Sequence, residues 1–93
     1  MEITNVRIVL RNEKMLKAYA SFVIDNCFIV TGLKVIDGPN GYFVSMPSKR
    51  KNDGAYQDIF YPINNAARKM IEDKVLDAFE SEINKEDDMV SEP

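Results

Sequence analysis

Alternation of apolar and polar residues over the first half of the chain constrains the fold more than any other feature of the sequence. Val6, Ile8 and Leu10 fall on one side of an extended run, and the residues between them fall on the other. This two-residue period is typical of a half-buried β-strand. It returns in further runs that are separated by turn-forming residues. We therefore predict four strands, the first two forming an antiparallel hairpin, over residues 2–11, 16–25, 27–36 and 42–46.

The turn before the fourth run, residues 37–41, reads Asp-Gly-Pro-Asn-Gly. Two glycines and a proline favour a chain reversal, so we interpret it as a plain hairpin turn. A phosphate-binding loop is the alternative, but the segment lacks the lysine of such a loop and precedes a strand. The fourth run is strongly hydrophobic and Pro47 ends it, which predicts a central place in the sheet.

The period changes to that of a helix near the C-terminal end. A short strand over residues 57–61 is predicted before Pro62, and Asn64 or Asn65 can cap the helix that follows. The apolar residues that recur at helical spacing are expected to pack on the sheet. They are Ala67, Met70, Ile71, Val75, Leu76, Ala78, Phe79 and Ile83. The predicted fold class is α+β: an antiparallel β-sheet of about four to five strands with one C-terminal α-helix packed on it.

The charge is unevenly distributed. Residues 80–93 hold six acidic residues and one lysine, whereas residues 1–79 hold eleven basic and nine acidic residues. The body is mildly basic, and the acidity is concentrated at the C-terminal end. We expect one domain over residues 1–84 and an acidic, disordered tail over residues 85–93. A body this small has a limited core, which makes self-association plausible.

The amino-acid composition excludes several kinds of catalytic and metal site. The chain has no histidine and one cysteine, so it lacks an imidazole base and a Cys/His zinc site. Cys27, beside an apolar strand, is expected to be a small packed hydrophobe. Asp37 and Asp58 are the carboxylates that an enzyme could use, but no nucleophile or metal set accompanies them. We expect no enzyme activity, no cofactor and no small-molecule substrate.

The N-terminal segment and the apolar runs bear on location. The apolar runs are too short to cross a bilayer, and the first ten residues do not have the organisation of a secretory signal. We therefore expect a cytoplasmic protein without membrane insertion.

A run of three cations is the strongest local indication of a binding surface. Lys49, Arg50 and Lys51 are consecutive and precede the turn signal Asp53-Gly54. Adjacent cations on an exposed hairpin can meet phosphate oxygens, although a solvated loop has the same composition. Arg68 and Lys69 lie near the start of the predicted helix, and we hypothesise that they extend the same basic surface.

Residues along most of the chain carry a resemblance to a known family. The chain resembles the stage V sporulation protein G family, the bacterial septation regulators, over about its first 80 residues. The matching residues are Glu2-Ile3-Thr4-Asn5-Val6-Arg7, Asp25-Asn26, Val35-Ile36-Asp37-Gly38, Gly41, Phe43-Val44, Met46-Pro47-Ser48-Lys49-Arg50, Asp53-Gly54, Tyr56, Asp58-Ile59, Pro62-Ile63 and Arg68.

The resemblance implies a cytoplasmic homodimer that binds nucleic acid and regulates gene expression, with effects on septation and sporulation. Carried over residue by residue, it marks Ser48, Lys49, Arg50 and Arg68. The site predicted from both lines of reasoning comprises Lys49, Arg50, Lys51, Asn65, Arg68 and Lys69, with DNA favoured and RNA left open. Tyr61, where many relatives have histidine, departs from the pattern. The alternative function is a protein-interaction module in cell division that does not bind nucleic acid.

Overall fold

Six strands and one helix build the protein. The computed structural model describes residues 1–91, and side-chain surroundings for residues 1–85. The elements are β1 (Ile3–Leu10), β2 (Leu16–Ile24), β3 (Phe28–Gly38), β4 (Gly41–Ser45), β5 (Ser48–Arg50), β6 (Tyr56–Asp58) and α1 (Asn65–Ser91). An antiparallel sheet has the order β1-β2-β3-β4, and β5 pairs with β6 in a second, two-stranded sheet. The predicted α+β class is confirmed.

The core lies between one face of the four-stranded sheet and α1. The alternation predicted for the first strands is confirmed, because Val6, Ile8 and Leu10 pack against the core whereas Arg7 and Val9 are exposed. The helix contacts the two outer strands, β1 and β4. On β2, which lies between them, the core positions include two alanines, whose small side chains leave room for the helix. The buried core residues are Ile3, Ala18, Ala20, Phe22, Val30, Leu33, Val35, Val44, Met46, Ile71, Val75 and Phe79.

The prediction that the fourth strand is central is wrong. Within the described chain, β4 pairs only with β3 and forms an edge of the sheet. Its hydrophobicity has a different cause, since α1 covers its inner face. Val44 and Met46 are buried there, and the ring of Tyr42 meets Phe79 of the helix edge-on, with ring centroids 5.0 Å apart. An edge strand under a helix has the same composition as a central strand.

Cys27 corrects a second expectation, because it is exposed rather than packed. It is the last residue of the turn between β2 and β3, where Asp25 and Asn26 both have positive φ, 51° and 53°. The Cys27 N–H donates to the Ile24 carbonyl at 2.9 Å and closes the turn. Since β3 begins only at Phe28, the thiol points away from the sheet's core. The turn predicted at Asp25-Asn26 is confirmed.

The turn over residues 37–41 is a plain hairpin turn, as predicted. Gly38 and Gly41 face each other across the β3–β4 ladder, and Pro39 and Asn40 connect them. Gly41 has a φ of 114°, a conformation that L-residues with a side chain rarely adopt. This turn is therefore used for chain reversal.

The helix extends further than the apolar pattern. Its bounds are Asn65–Ser91, so the boundary expected at residue 85 is not a helix end. The side chains of residues 86–91, and residues 92–93 entirely, lie outside the described part of the structure. The separation of a domain over residues 1–84 from an acidic tail over residues 85–93 stays a prediction.

Asn64 is the N-cap of α1, which is one of the two predicted alternatives. Its side-chain Oδ1 accepts the backbone N–H of Ala67 at 2.8 Å. Asn64→Ala leaves that N–H without its protein partner and is expected to lower the free energy of unfolding by about 1 kcal/mol, measured by urea denaturation. Asn64→Asp is the matched control, because aspartate caps equally well and favours the helix dipole. Equal stability of the alanine variant and the native protein would contradict the capping role.

Candidate nucleic-acid interface

The three adjacent cations lie on a small antiparallel hairpin made by β5 and β6. Lys49 is opposite Gln57 and Arg50 is opposite Tyr56. At the tip, the Lys51 N–H donates to the Ala55 carbonyl at 2.7 Å, and the Gly54 N–H donates back to the Lys51 carbonyl at 3.0 Å. These bonds close a tight turn in which Gly54 has a φ of 88°. The predicted hairpin is confirmed, although Lys49 and Arg50 belong to a strand rather than to its tip.

The cationic side chains of the hairpin are exposed and uncompensated. Lys49, Arg50 and Lys51 line one open groove of about 440 Å³ together with Asn52, Asp53 and Gln57. None of the three cations makes an ion pair within the described residues. The nearby carboxylate of Asp53 accepts the Ala55 N–H at 3.0 Å, so its position is determined by the turn. Free cations in an open groove can exchange water and counterions for phosphate oxygens at little structural cost.

One hydrogen bond closes the base of the hairpin, and one ring contact holds that base to the body. The Ile59 N–H donates to the Pro47 carbonyl at 2.8 Å, which joins the residues that flank the two strands. The next residue, Phe60, places its ring against Phe22 in an edge-on arrangement, with centroids 6.3 Å apart. Phe22 is fully buried. The hairpin therefore projects from the body on a base that is fixed in the core.

The predicted helix residues lie at the exposed start of α1. Asn65 is the first helical residue, and Arg68 follows one turn later. Arg68 makes no ion pair in the described part of the chain, whereas Lys69 pairs with Asp73 at 3.1 Å. Such an exposed pair at i, i+4 is weak, and its lysine can turn to another anion. Three polar side chains are thus accessible there, of which two carry positive charge.

The hairpin and the helix start are joined by residues 59–64 but do not contact each other closely. No hydrogen bond or ion pair links the two groups among the residues described. The helix packs on β1 and β4, and the hairpin strands pair with each other. One continuous basic surface formed by Lys49 to Lys51 together with Arg68 and Lys69 therefore stays a prediction.

An exposed apolar segment beside the hairpin was missed at the sequence level. Tyr56, Ile59, Tyr61 and Ile63 all have most of their surface exposed, and Ile63 is 89% exposed. We call these four side chains the apolar segment. Several large exposed apolar residues that are close in sequence indicate an interaction surface more strongly than an isolated one does. The sequence analysis assigned Ile59 and Tyr61 to a short strand over residues 57–61, so it did not predict that their side chains are exposed.

The two carboxylates that an enzyme could use lie on different strands. Asp37 lies near the end of β3 and Asp58 at the end of β6. Among the described residues, no three side chains of the cysteine, aspartate or glutamate type gather as a metal site would require. No helix in the described part of the chain is long and apolar enough to span a membrane.

These features define a class: small α+β proteins in which a helix covers one face of a four-stranded antiparallel sheet and a basic hairpin projects from it. A family model described as SpoVG matches residues 1–81. The chain therefore belongs to the SpoVG family, and the resemblance found in the sequence is confirmed.

Similar proteins occur in several organisms under one name, "Putative septation protein SpoVG". The chain is 49% identical over 83 residues to the protein of Bdellovibrio bacteriovorus, covering 89% of this chain and 77% of that protein. It is 49% identical over 82 residues to the protein of Archaeoglobus fulgidus, covering 87% and 96%. It is 44% identical over 84 residues to the protein of Agathobacter rectalis, covering 89% and 97%.

Proposed function

We propose that this protein is a nucleic-acid-binding regulator that acts in septation, with duplex DNA as its favoured ligand. The observation that carries the proposal is the β5–β6 hairpin, which presents three adjacent cations in one open groove without ion-pair partners among the described residues. The names of the relatives support the link to septation. Regulation of gene expression, and a contribution to sporulation where it occurs, are parts of the same proposal.

Lys49, Arg50 and Lys51 would bind phosphate oxygens and thereby orient the protein on DNA. Such contacts set affinity and register but carry no sequence information. Base contacts need an accessible side chain with hydrogen-bonding groups, and Asn65 at the exposed start of α1 meets that requirement. Arg68 and Lys69 would add phosphate contacts from the start of the helix. RNA stays open as a ligand because none of these groups distinguishes a ribose from a deoxyribose.

The proposal includes a homodimer. The apolar segment supports self-association, because a body with a small core gains stability by covering large exposed side chains such as Ile63. A two-fold axis would present two hairpins on related surfaces and would double the number of phosphate contacts. The proposed protein acts in the cytoplasm, does not insert into membranes, and performs no catalytic step on a small molecule.

The apolar segment also supports a second candidate function, a protein-interaction module in cell division without direct nucleic-acid binding. In that case a different protein covers Ile59, Tyr61 and Ile63, and the hairpin cations are merely solvated. High-affinity capture of that partner would then survive removal of the hairpin charges. The two functions differ in their salt dependence, because apolar burial is insensitive to moderate salt, whereas phosphate contacts are not.

Fluorescence-anisotropy titration of labelled duplex DNA and of labelled single-stranded RNA at about 50 and 200 mM salt tests the proposal, with light scattering of the same samples. A dimer that places six hairpin cations on phosphates is expected to lose about 10³-fold in affinity between these salt concentrations. A monomeric mass would remove the homodimer from the proposal. Absence of duplex and RNA binding at the lower salt would contradict the proposed function and favour the interaction module.

A further inference from the structure

The four-stranded sheet has a second face that the proposed function does not use. Side chains alternate across the strands, and α1 covers only the face that carries the core. We call the other side the open face. Its aromatic side chains are accessible: Tyr19 is 37% exposed and Phe43 is 44% exposed. A sheet face with exposed aromatic side chains is a surface that a ligand can bind.

The strand register places the aromatic and cationic residues of the open face close together. Tyr19 on β2 is directly opposite Lys34 on β3. Lys34 is in turn opposite Ser45 on β4, two residues from Phe43. The lysine therefore lies between an aromatic residue on each neighbouring strand. Adjacent strands are about 4.8 Å apart, so Tyr19 and Phe43 lie roughly 10 Å apart across the sheet, and the two-residue offset adds roughly 7 Å along the strands.

Two arginines continue this arrangement on the other side of Tyr19. The guanidinium carbon of Arg11 lies 5.3 Å from the centroid of the Tyr19 ring, a cation–π contact that brings the arginine beside the tyrosine. Arg7 is opposite Ser21, two residues along β2 from the tyrosine. A shallow hollow of about 230 Å³ lies between Arg7 and Tyr19. Cations thus surround the aromatic platform on both sides.

The open face lacks compensating negative charge. The four strands of the sheet contain one carboxylate, Asp37. Its cross-strand partner is Tyr42, which contacts Phe79 of the helix, so Asp37 belongs to the opposite side. Arg7, Arg11 and Lys34 therefore share a face to which the strands contribute no acidic residue. A two-fold interface between identical open faces would bring these cations together, which is unfavourable, whereas a polyanion complements them.

We propose that the open face binds single-stranded nucleic acid, with Tyr19 and Phe43 stacking on bases and with Arg7, Arg11 and Lys34 contacting phosphates. Single strands expose the flat faces of their bases, which aromatic side chains on a sheet can stack upon. In a duplex those faces are already stacked on neighbouring bases. This inference goes beyond the proposed function, because it uses residues separate from the hairpin and a different form of nucleic acid.

The test compares substitutions that keep apolar volume but change stacking. The double variant Tyr19→Leu with Phe43→Leu retains large apolar side chains and removes both rings, whereas Tyr19→Phe keeps the ring. Each variant is titrated by anisotropy against labelled single strands of uridine or thymidine about 12 nucleotides long. We expect the double leucine variant to bind at least about 25-fold more weakly than the native protein. We expect Tyr19→Phe to bind as the native protein does.

Lys34→Gln provides an independent readout. It should reduce the slope of log affinity against log salt by about 0.7 on the single strand, because one phosphate contact is lost. When the hairpin cations are also substituted, the double leucine substitution should lower the affinity for the single strand by the same factor, since the two sites are separate. Failure of duplex binding alone would count against duplex DNA as the favoured ligand of the proposed function and would leave this inference standing.

Three results would overturn the inference. The first is equal binding of the single strand by the double leucine variant and the native protein. The second is no binding of either single strand by the native protein at about 50 mM salt. The third is a lower mass of the double leucine variant in light scattering, which would show that a second copy of the chain occupies the open face.

Discussion

Phe22→Ala is expected to lower the free energy of unfolding by about 3–5 kcal/mol, because it removes a fully buried ring from the centre of the core. A domain of this size has a total stability of about 5–15 kcal/mol, so the loss is a large share of it. The ring also provides the edge-on partner of Phe60, whose centroid is 6.3 Å away. The residues that fix the base of the hairpin would therefore loosen together with the core. Urea denaturation at one fixed protein concentration measures the change.

Phe28→Ala is the matched control for Phe22→Ala. It removes the same number of atoms from the same sheet, but Phe28 is 70% exposed. Its substitution is expected to change the free energy of unfolding by less than about 0.5 kcal/mol. If both variants lost the same stability, the core would not be centred where the structure places it. A loss below about 1 kcal/mol for Phe22→Ala would contradict its role directly.

The sequence predicted the strands and the helix well because their residues repeat with the period of the element. Val6, Ile8 and Leu10 alternate, and Ile71, Val75 and Phe79 recur every fourth residue, so each set defines a buried side without tertiary information. The hairpin was predicted from chemistry rather than period, since Asp53-Gly54 specifies a turn. These features are local, and local physics is sufficient to produce them.

The errors concern properties that depend on the rest of the chain. An edge strand that a helix covers can be as hydrophobic as a central strand. Hydrophobicity alone therefore did not reveal that β4 is an edge strand. Cys27 is exposed because the turn that begins at Asp25 uses one residue more than its two strongest turn formers. The short strand predicted over residues 57–61 is β6, Tyr56–Asp58, which pairs with β5 instead of the main sheet. Pairing partners are long-range information.

The candidate site was predicted in part. The sequence identified the cations at Lys49 to Lys51, and the structure adds that they share one groove with free access. It did not identify the apolar segment or the open face, because each becomes visible only when the neighbouring surface is known. Tyr19 and Lys34 are fifteen residues apart in sequence, and only the β2–β3 register brings them together.

Combining Lys49→Ala, Arg50→Ala and Lys51→Ala is expected to weaken duplex DNA binding on the order of 10³-fold for each hairpin bound at about 50 mM salt. Each phosphate contact contributes about 0.9 to the slope of log affinity against log salt, so three lost contacts reduce the slope by about 2.7 for each hairpin bound. The loss should be similar on all sequences, because phosphates are the same everywhere. Thermal stability should not fall, since all three side chains are exposed and make no ion pair in the described chain.

The matched control removes three other cations, Lys14, Lys74 and Lys85, and so changes the net charge equally. These lysines are exposed on the β1–β2 turn and on α1, away from the hairpin groove. If overall charge alone attracted DNA, both triple variants would lose affinity to the same extent, and the hairpin would have no special role. A selective loss in the hairpin variant, with the slope reduced by about 2.7 for each bound hairpin and so by about 5.4 for the dimer, is the result that a phosphate-binding hairpin requires. Unchanged affinity of the folded hairpin variant would show instead that DNA binds elsewhere on the protein.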